Sequence, residues 1–385
     1  MYLDLNEEQN LIRETAREFS QAVLAPVAAD LDRGEAQETF FENLRQLAEL
    51  GFMGLNVKAD YGGSEAGVIA FSVALTEIAR ACASTAVSVS VNNMICEVIQ
   101  AVGSKEQRHR YIPKICSGEF LAGAFALTEA GAGSDPAAMT TLAVRDGDDW
   151  VLNGSKIFIT SAPYAGVFVV WAVTDRSAAK GKGISCFLIE AGTPGCIVGR
   201  AEEKMGQHAS ATNELLLQDC RVPGSALMGK LNDGFRIAVS ELAGGRIGIG
   251  SLGLGLGLQA IETATRYALE RKQFDQSISN FQAIQWKIAD ATTELEAARL
   301  LLMNAAFRKE QGRSYAKEAS MAKLFATEAA NRACYEAMQI YGGYGYTTEF
   351  AVERYCRDAR ITTIYEGTSE IQRLIIAREV LRSYS

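Results

Sequence analysis

The chain has 385 residues, 48% hydrophobic and 22% charged. That excludes a disordered polypeptide and suggests two to three domains. With 46 acidic against 38 basic residues and a formal net charge of −8, nucleic acid and anionic membrane surfaces are poor partners. Only two histidines occur, His109 and His208, so a His-based metal site or a Ser-His-Asp triad is not expected.

The opening MYLDLNEEQN has no basic-then-apolar leader pattern and is too acidic for a transit peptide. A cytoplasmic protein without a signal peptide is expected. Asn6 can cap a helix running toward Ala25, with Leu11, Ile12, Thr15, Phe19 and Val23 at helical spacing. Gly62-Gly63 breaks this part from a second helical group, around Ser84–Val102 and Ser104–Cys116. Residues 1–120 thus read as a helical N-terminal domain.

Residues 121–228 change texture to short β-rich runs and turns. Trp150-Val151-Leu152 before Asn153-Gly154 predicts a hairpin, and Val167–Trp171 and Ile184–Ile189 predict buried strands. Asp146-Gly147, Thr193-Pro194-Gly195 and Val222-Pro223-Gly224 are expected turns. The segment reads as a small barrel or sandwich. Residues 229–385 return to helix: one with Ile284, Ile288, Leu295 and Leu302 on a face, one over Tyr315–Ile340 ended by Gly342-Gly343, and one over Ser369–Arg382. The weakly charged stretch Ile247–Leu258 is too short to span a membrane, and no insertion is expected. The eight cysteines show no CxxC spacing and read as buried thiols.

Three motifs carry chemical weight. Gly248–Gly253 fits GxGxxG, but Glu241–Arg246 before it does not read as a strand. A glycine-rich helix in close contact with another backbone is expected instead of a dinucleotide turn. Phe125-Ala126-Leu127-Thr128-Glu129-Ala130-Gly131-Ala132-Gly133-Ser134-Asp135 joins an apolar strand to a glycine-rich loop. Its N–H groups and hydroxyls can serve a polar heterocycle, or it is a plain strand-to-turn connection. Ile364-Tyr365-Glu366-Gly367-Thr368-Ser369-Glu370-Ile371-Gln372 sets a carboxylate between a strand-like apolar lead and a helix start. Glu366 is either a desolvated base or a helix-capping acid, and local pattern leaves both open.

The ordered set of segments resembles the acyl-CoA dehydrogenase family over almost the whole chain. It comprises Phe125–Asp135, Asn153-Gly154-Ser155-Lys156-Ile157-Phe158-Ile159-Thr160, Asp219–Pro223, Arg271-Lys272-Gln273-Phe274, Gln339–Gly345 and Ile364–Gln372. The resemblance implies an α+β multidomain fold: an N-terminal helical domain, a middle β-barrel or sandwich and a C-terminal four-helix bundle. It implies FAD as cofactor and α,β-dehydrogenation of a short- to medium-chain acyl-CoA to the trans-2-enoyl-CoA. Glu366 would take the α proton while flavin N5 accepts the β hydride, and electrons would pass to an electron-transfer flavoprotein.

By motif position, Phe125, Leu127, Thr128, Gly133 and Ser134 would line the flavin, with Phe158, Ile159 and Thr160 against other parts of the ring. Arg271 and Gln282 would reach the adenosine diphosphate half from a neighbouring subunit of a homotetramer. Gln339, Gly342 and Gly343 match the adenine-side loop, and Thr368 and Glu370 would also contact FAD. Ser134, Arg246, Tyr365 and Gly367 would contact substrate. Gly245 stands where a second branch of the family carries its base, so Glu366 has no rival there; Glu241 is a nearby carboxylate. Departures are Ala130 for Pro, Ser161-Ala162 for Asn-Gly, His208 for Arg, and Ala243 where an Asp helps hold CoA. An acyl-CoA or nitroalkane-type oxidase, or a non-enzymatic helical assembly protein, are the competing readings on the same fold.

Overall fold

The computed structural model describes residues 4–384; residues 1–3 and 385, at the ends of the two predicted helical domains, lie outside it. Helix α1 (Glu7–Phe19) is closed by a reciprocal box, in which Asn6 accepts from Gln9 N while the Gln9 side chain accepts from Asn6 N. The expected stop near Ala25 is not there. A π turn over Ser20–Leu24 carries the chain into α2 (Ala25–Arg33), which ends at Gly34 with φ +76°. Pro26 falls in the first turn of α2, where its missing N–H costs least. Helices α3 (Gln37–Glu49), α4 (Gly67–Ala81), α5 (Ala83–Val102) and α6 (Lys105–Cys116) follow, α6 capped by Ser104.

Eight strands come next: β1 (Ala122–Ala126), β2 (Leu142–Asp146), β3 (Asp149–Thr160), β4 (Ala165–Val173), β5 (Ile184–Glu190), β6 (Cys196–Ala201), β7 (Thr212–Pro223) and β8 (Leu227–Met228). Their order is β6-β7-β3-β2-β4-β5-β8, with β1 parallel to β4. The two halves join through one pair, Leu142↔Val173, and both contribute to one core that includes Trp150, Leu152, Leu215, Phe168 and Phe187. Alternate residues of β4 and β5, among them Val169, Trp171 and Leu188, enter the larger helical core instead. This sheet is therefore buried on both faces where it meets the helices.

The predicted hairpin at Asn153-Gly154 is wrong. Both residues lie inside β3, at a bulge against β7, where Asn153 Nδ2 donates to Asp219 Oδ1 (3.1 Å) and Asn153 Oδ1 accepts from the Asp219 backbone N–H (2.8 Å). Gly154 takes φ +150°, and a Cβ there would sit 2.7 Å from Thr141 Cα. The glycine serves a close approach, and the tight turn is the predicted Asp146-Gly147.

The C-terminal part is α7 (Gly234–Glu270), the small hairpin β9 (Lys272–Gln273) and β10 (Gln276–Ser277), α8 (Gln282–Glu310), α9 (Ala316–Tyr341), α10 (Val352–Arg360) and α11 (Ser369–Arg382). Helix α7 packs against α8 and α9 on one side and α4 and α5 on the other. The GxGxxG segment lies within it, as the failed strand context predicted. A Cβ at Gly255 would fall 2.3 Å from Thr76 O, so glycine there lets α7 meet the α4 backbone. Helices α5 and α7 are long and apolar enough to cross a membrane by length and composition, but both are mostly buried in the molecule.

Candidate active site

The loop between α10 and α11 carries Glu366. Its expected strand-like lead is instead a 3₁₀ turn over Ile361–Thr363, with the N–H groups of Ile364 and Tyr365 donating back to Ile361 O at 2.8 and 3.1 Å. Glu366 has φ +53° and Gly367 φ +95°. A non-glycine residue in the left-handed region costs on the order of 1 kcal/mol and persists where its surroundings hold it. Here Gln372 Nε2 donates to the carbonyls of Glu366 (3.3 Å) and Gly367 (2.9 Å), and Lys323 Nζ donates to Gly367 O (2.7 Å). The helix-capping role falls to Thr368, whose hydroxyl accepts from Ile371 N at 3.3 Å. Glu366 is thereby left free of the capping duty that local pattern allowed it.

Glu366 Oε2 is buried and has no hydrogen-bond partner among the described residues. Burial pushes the carboxyl up to about 7, against the opposing pull of Lys323 and Arg246. Arg246 is only 5% exposed, and its Nε is also without a partner. A Cβ on Gly245 would stand 2.3 Å from Glu366 Oε2, so this glycine makes room for the carboxylate. Glu241, one helical turn earlier, is pushed up to about 7 by burial and by Glu97. Its charged neighbours are the Glu97–Lys309 pair (2.5 Å) rather than Glu366.

Tyr365 is held from the middle domain. Gln207 donates through Nε2 to Tyr365 Oη (3.3 Å) and Asp358 O (3.1 Å), and through its backbone N–H to Asp358 Oδ1 (2.5 Å). Burial raises the Asp358 carboxyl to about 6. Beside Gln207, the unusual His208 places Nδ1 2.7 Å from Asp32 O and Nε2 2.7 Å from Lys204 O, so the imidazole bridges α2 to this loop.

The strand-to-loop signature is anchored by a buried ion pair. Lys156 Nζ donates to Glu129 Oε1 (2.8 Å) and Leu127 O (3.2 Å), and Glu129 also accepts from the N–H groups of Thr140 (2.6 Å) and Thr141 (2.9 Å). Burial opposes the charge on Glu129, but Lys156 and these donors outweigh it and hold the carboxyl down at about 2. This lock sets the loop beside Phe158, which is 59% exposed with φ +57°. Gly133 and Ser134 are exposed, Thr128 and Thr160 half-buried, and a Cβ on Gly131 or Gly133 would meet nothing within 4 Å. An open, donor-rich loop next to an uncovered aromatic ring suits a planar heterocycle with a polar tail, so these residues fit FAD. Leu127 and Ile159, by contrast, bury their side chains in the two cores, and Phe125 packs on Trp171 at 4.3 Å. Leu127 and Ile159 can offer the ring only backbone.

The remaining predicted cofactor residues gather elsewhere. Arg271 follows α7 and lies over the Tyr344 ring at 5.5 Å, beside the exposed Gly342 and Gly343; Gln339 is exposed in the last turn of α9, and Gln282 opens α8. No hydrogen bond or ring contact among the described residues joins them to Phe158 or Ser134. Glu370 is exposed in the first turn of α11.

Sequence reasoning missed Lys323, the Glu129–Lys156 pairing and Gln207. Lys323 had one signal: it falls among Ala319, Ala322, Ala326 and Ala330 on the buried face of α9. The other two join residues 27 and 158 positions apart, and nothing local announces them.

A helical–β–helical chain with a buried, unpartnered carboxylate and an open flavin-type cradle defines a flavin-dependent oxidoreductase. Family models for the N-terminal, middle and C-terminal domains of acyl-CoA dehydrogenases match residues 6–119, 124–220 and 232–381. The chain is 45% identical to the mitochondrial short-chain specific acyl-CoA dehydrogenase of Mus musculus, over 99% of this chain and 92% of that protein. It superposes on butyryl-CoA dehydrogenase of Megasphaera elsdenii with TM-score 0.95 and 37% identity, covering 99% and 100% of the two chains. A chain from a structure of the electron transferring flavoprotein of Acidaminococcus fermentans, studied for flavin-based electron bifurcation, gives 0.96 and 42% with the same coverage. An acyl-CoA dehydrogenase from Bacillus anthracis complexed with FAD gives 0.93 and 32%, covering 99% and 68%. The chain belongs to the acyl-CoA dehydrogenase family and is an FAD-dependent oxidoreductase.

Proposed function

We propose that this enzyme converts a short-chain acyl-CoA to its trans-2-enoyl-CoA, with Glu366 as the base that takes the α proton. The observation that carries this reading is the Glu366 carboxyl oxygen, buried and unpartnered over the gap left by Gly245. A desolvated carboxylate with a raised pKa is matched to proton abstraction near neutral pH. The Glu366 backbone N–H has no acceptor among the described residues. It can donate to the thioester carbonyl, whose oxygen gains negative charge as the α proton leaves. Arg246 adds positive charge beside the base, and Ser134, Tyr365 and Gly367 complete the substrate wall. FAD, when bound, supplies the acceptor for the β hydrogen and its electron pair. Phe158, Thr128, Thr160 and the Gly133-Ser134 backbone would hold its ring, with Thr368 and Glu370 alongside.

A short acyl chain is supported by α7. Glu241, Leu242 and Gly244 are partly exposed, whereas every residue from Gly245 to Gly257 is buried. We place the mouth of the acyl site at the N-terminal end of α7 and its closed end deeper along the helix. A Cβ on Gly248 would fall 2.3 Å from Ser90 Oγ and 3.3 Å from the Phe71 ring. The close approach of α5 to α7 about 4.5 Å beyond Gly245 supports a short acyl group. Electrons would pass to an electron-transfer flavoprotein, a partner supported by the similarity to the Acidaminococcus chain. We also assign a homotetramer in which Arg271, Gln282, Gln339, Gly342 and Gly343 serve the cofactor of a neighbouring subunit. The exposed Phe274 (86%) and Tyr346 (87%) would be covered in that assembly.

A panel of acyl-CoA thioesters from C4 to C16, assayed with an artificial electron acceptor, tests this reading. The highest kcat/KM is expected at the short end; a maximum at the long end contradicts it.

A further inference from the structure

We infer that Lys323 is a positioning residue for the base, fixing the Glu366-Gly367 loop through its bond to the Gly367 carbonyl. The inference rests on the assignment of Glu366 as base. Lys323 is fully buried on the alanine face of α9. Burying an ammonium there incurs a desolvation cost that an apolar side chain would avoid. Its one hydrogen-bond acceptor among the described residues is Gly367 O, at 2.7 Å, the carbonyl of the residue that follows the base. That carbonyl belongs to a left-handed turn, and Gln372 shares it at 2.9 Å. Without the ammonium, Gln372 alone would hold the turn.

The charged and titratable groups around this point come from four elements. Glu366 and Tyr365 lie on the loop itself, Arg246 on α7, Glu328 on α9 with Lys323, and Glu370 on α11. Glu366 raises the Lys323 pKa and Lys323 lowers that of Glu366, whereas Arg246 disfavours the charge on Lys323. Burial sets Lys323 at about 8 and Glu366 at about 7. The working form is the carboxylate with the ammonium near it, and each charge favours the other.

The test is the pH profile of kcat/KM for the FAD-loaded enzyme on butyryl-CoA, in wild type, Lys323→Gln, Lys323→Arg and Glu366→Gln. Wild type should show an acid limb near the Glu366 value and an alkaline limb near the Lys323 value. Lys323→Gln keeps a donor for Gly367 O but removes the charge. Its alkaline limb should vanish and its acid limb rise by about one pH unit. Lys323→Arg should keep the acid limb and move the alkaline limb above about pH 10, since arginine stays protonated there. A Lys323→Gln profile that is scaled down with both limbs in place overturns the assignment and leaves a packing role. Should Lys323→Gln not retain flavin, Lys323→Arg decides, and an unmoved alkaline limb in it overturns the proposal. Glu366→Gln separates the two levels of inference. If it is inactive while the Lys323 variants keep their limbs, only the lysine assignment falls; if it turns over normally, the base assignment falls.

Discussion

Two buried carboxylates in this molecule are driven in opposite directions, and the difference lies in their partners. Glu129 meets Lys156 and backbone donors and is held at about 2, while Glu366 meets none directly and is pushed up to about 7. For Glu129 the folded value lies below the ordinary one of 4.5. Its contribution to stability is therefore present above about pH 4.5 and is lost as pH falls toward about 2. Glu129→Gln should destabilise the protein at pH 7 by about 3–5 kcal/mol, because it leaves the Lys156 ammonium buried and unpaired. A denaturant midpoint equal to wild type would contradict this. For Glu366 the sign reverses. Its raised value favours the protonated folded form, a contribution present below about pH 4.5 and lost as pH rises through about 7. The candidate base was readable in the sequence because motif order singled it out. Its supports were not, since Lys323 and Gln207 come from elements 43 and 159 positions away and meet it only in the fold.

Helix α7 shows what an element adds to a residue. Its glycines read correctly as close-contact positions, but which neighbour each approaches, a backbone at Gly255 and side chains at Gly245 and Gly248, is a property of helix packing. Gly245 distinguishes function from stability. In Gly245→Ala the up to about 1 kcal/mol that alanine gains in a helix is set against the displacement of Glu366 and Met94 that its methyl requires, so the variant should still fold. It should also lower kcat, because its methyl would stand 2.3 Å from Glu366 Oε2. Unchanged kcat in a folded, flavin-loaded variant would show that the carboxylate does not work from this position. Strand β3 shows the opposite lesson. Asn-Gly is a strong turn signal, yet pairing with β7 on both sides of Asn153 keeps the chain extended, and only the tertiary approach of Thr141 explains the glycine. The last helix, Ser369–Arg382, was delimited from sequence because its Thr-Ser start is a local capping signal.

At the scale of the whole molecule, the α–β–α order was legible from periodicity alone, while the assembly is not contained in one chain. Most of the predicted cofactor residues fall into two groups: Phe158 with the Thr128–Ser134 loop, and Arg271 with the 339–343 region. A tetramer that brings the second group onto a neighbour's cofactor reconciles them, and light scattering should report four chains. Arg271→Ala should weaken FAD retention by about 1.5–3 kcal/mol, the worth of a hydrogen bond to a charged group. Flavin per chain after gel filtration reads this out; an unchanged ratio and elution volume would make Arg271 an ordinary surface charge. The role of Glu366 is tested most directly by steady-state turnover of butyryl-CoA in Glu366→Gln, with its flavin spectrum recorded on the same sample. Full flavin occupancy with kcat reduced by about 10²–10⁴-fold or more is the expected result. Normal turnover by that flavin-loaded variant would contradict it.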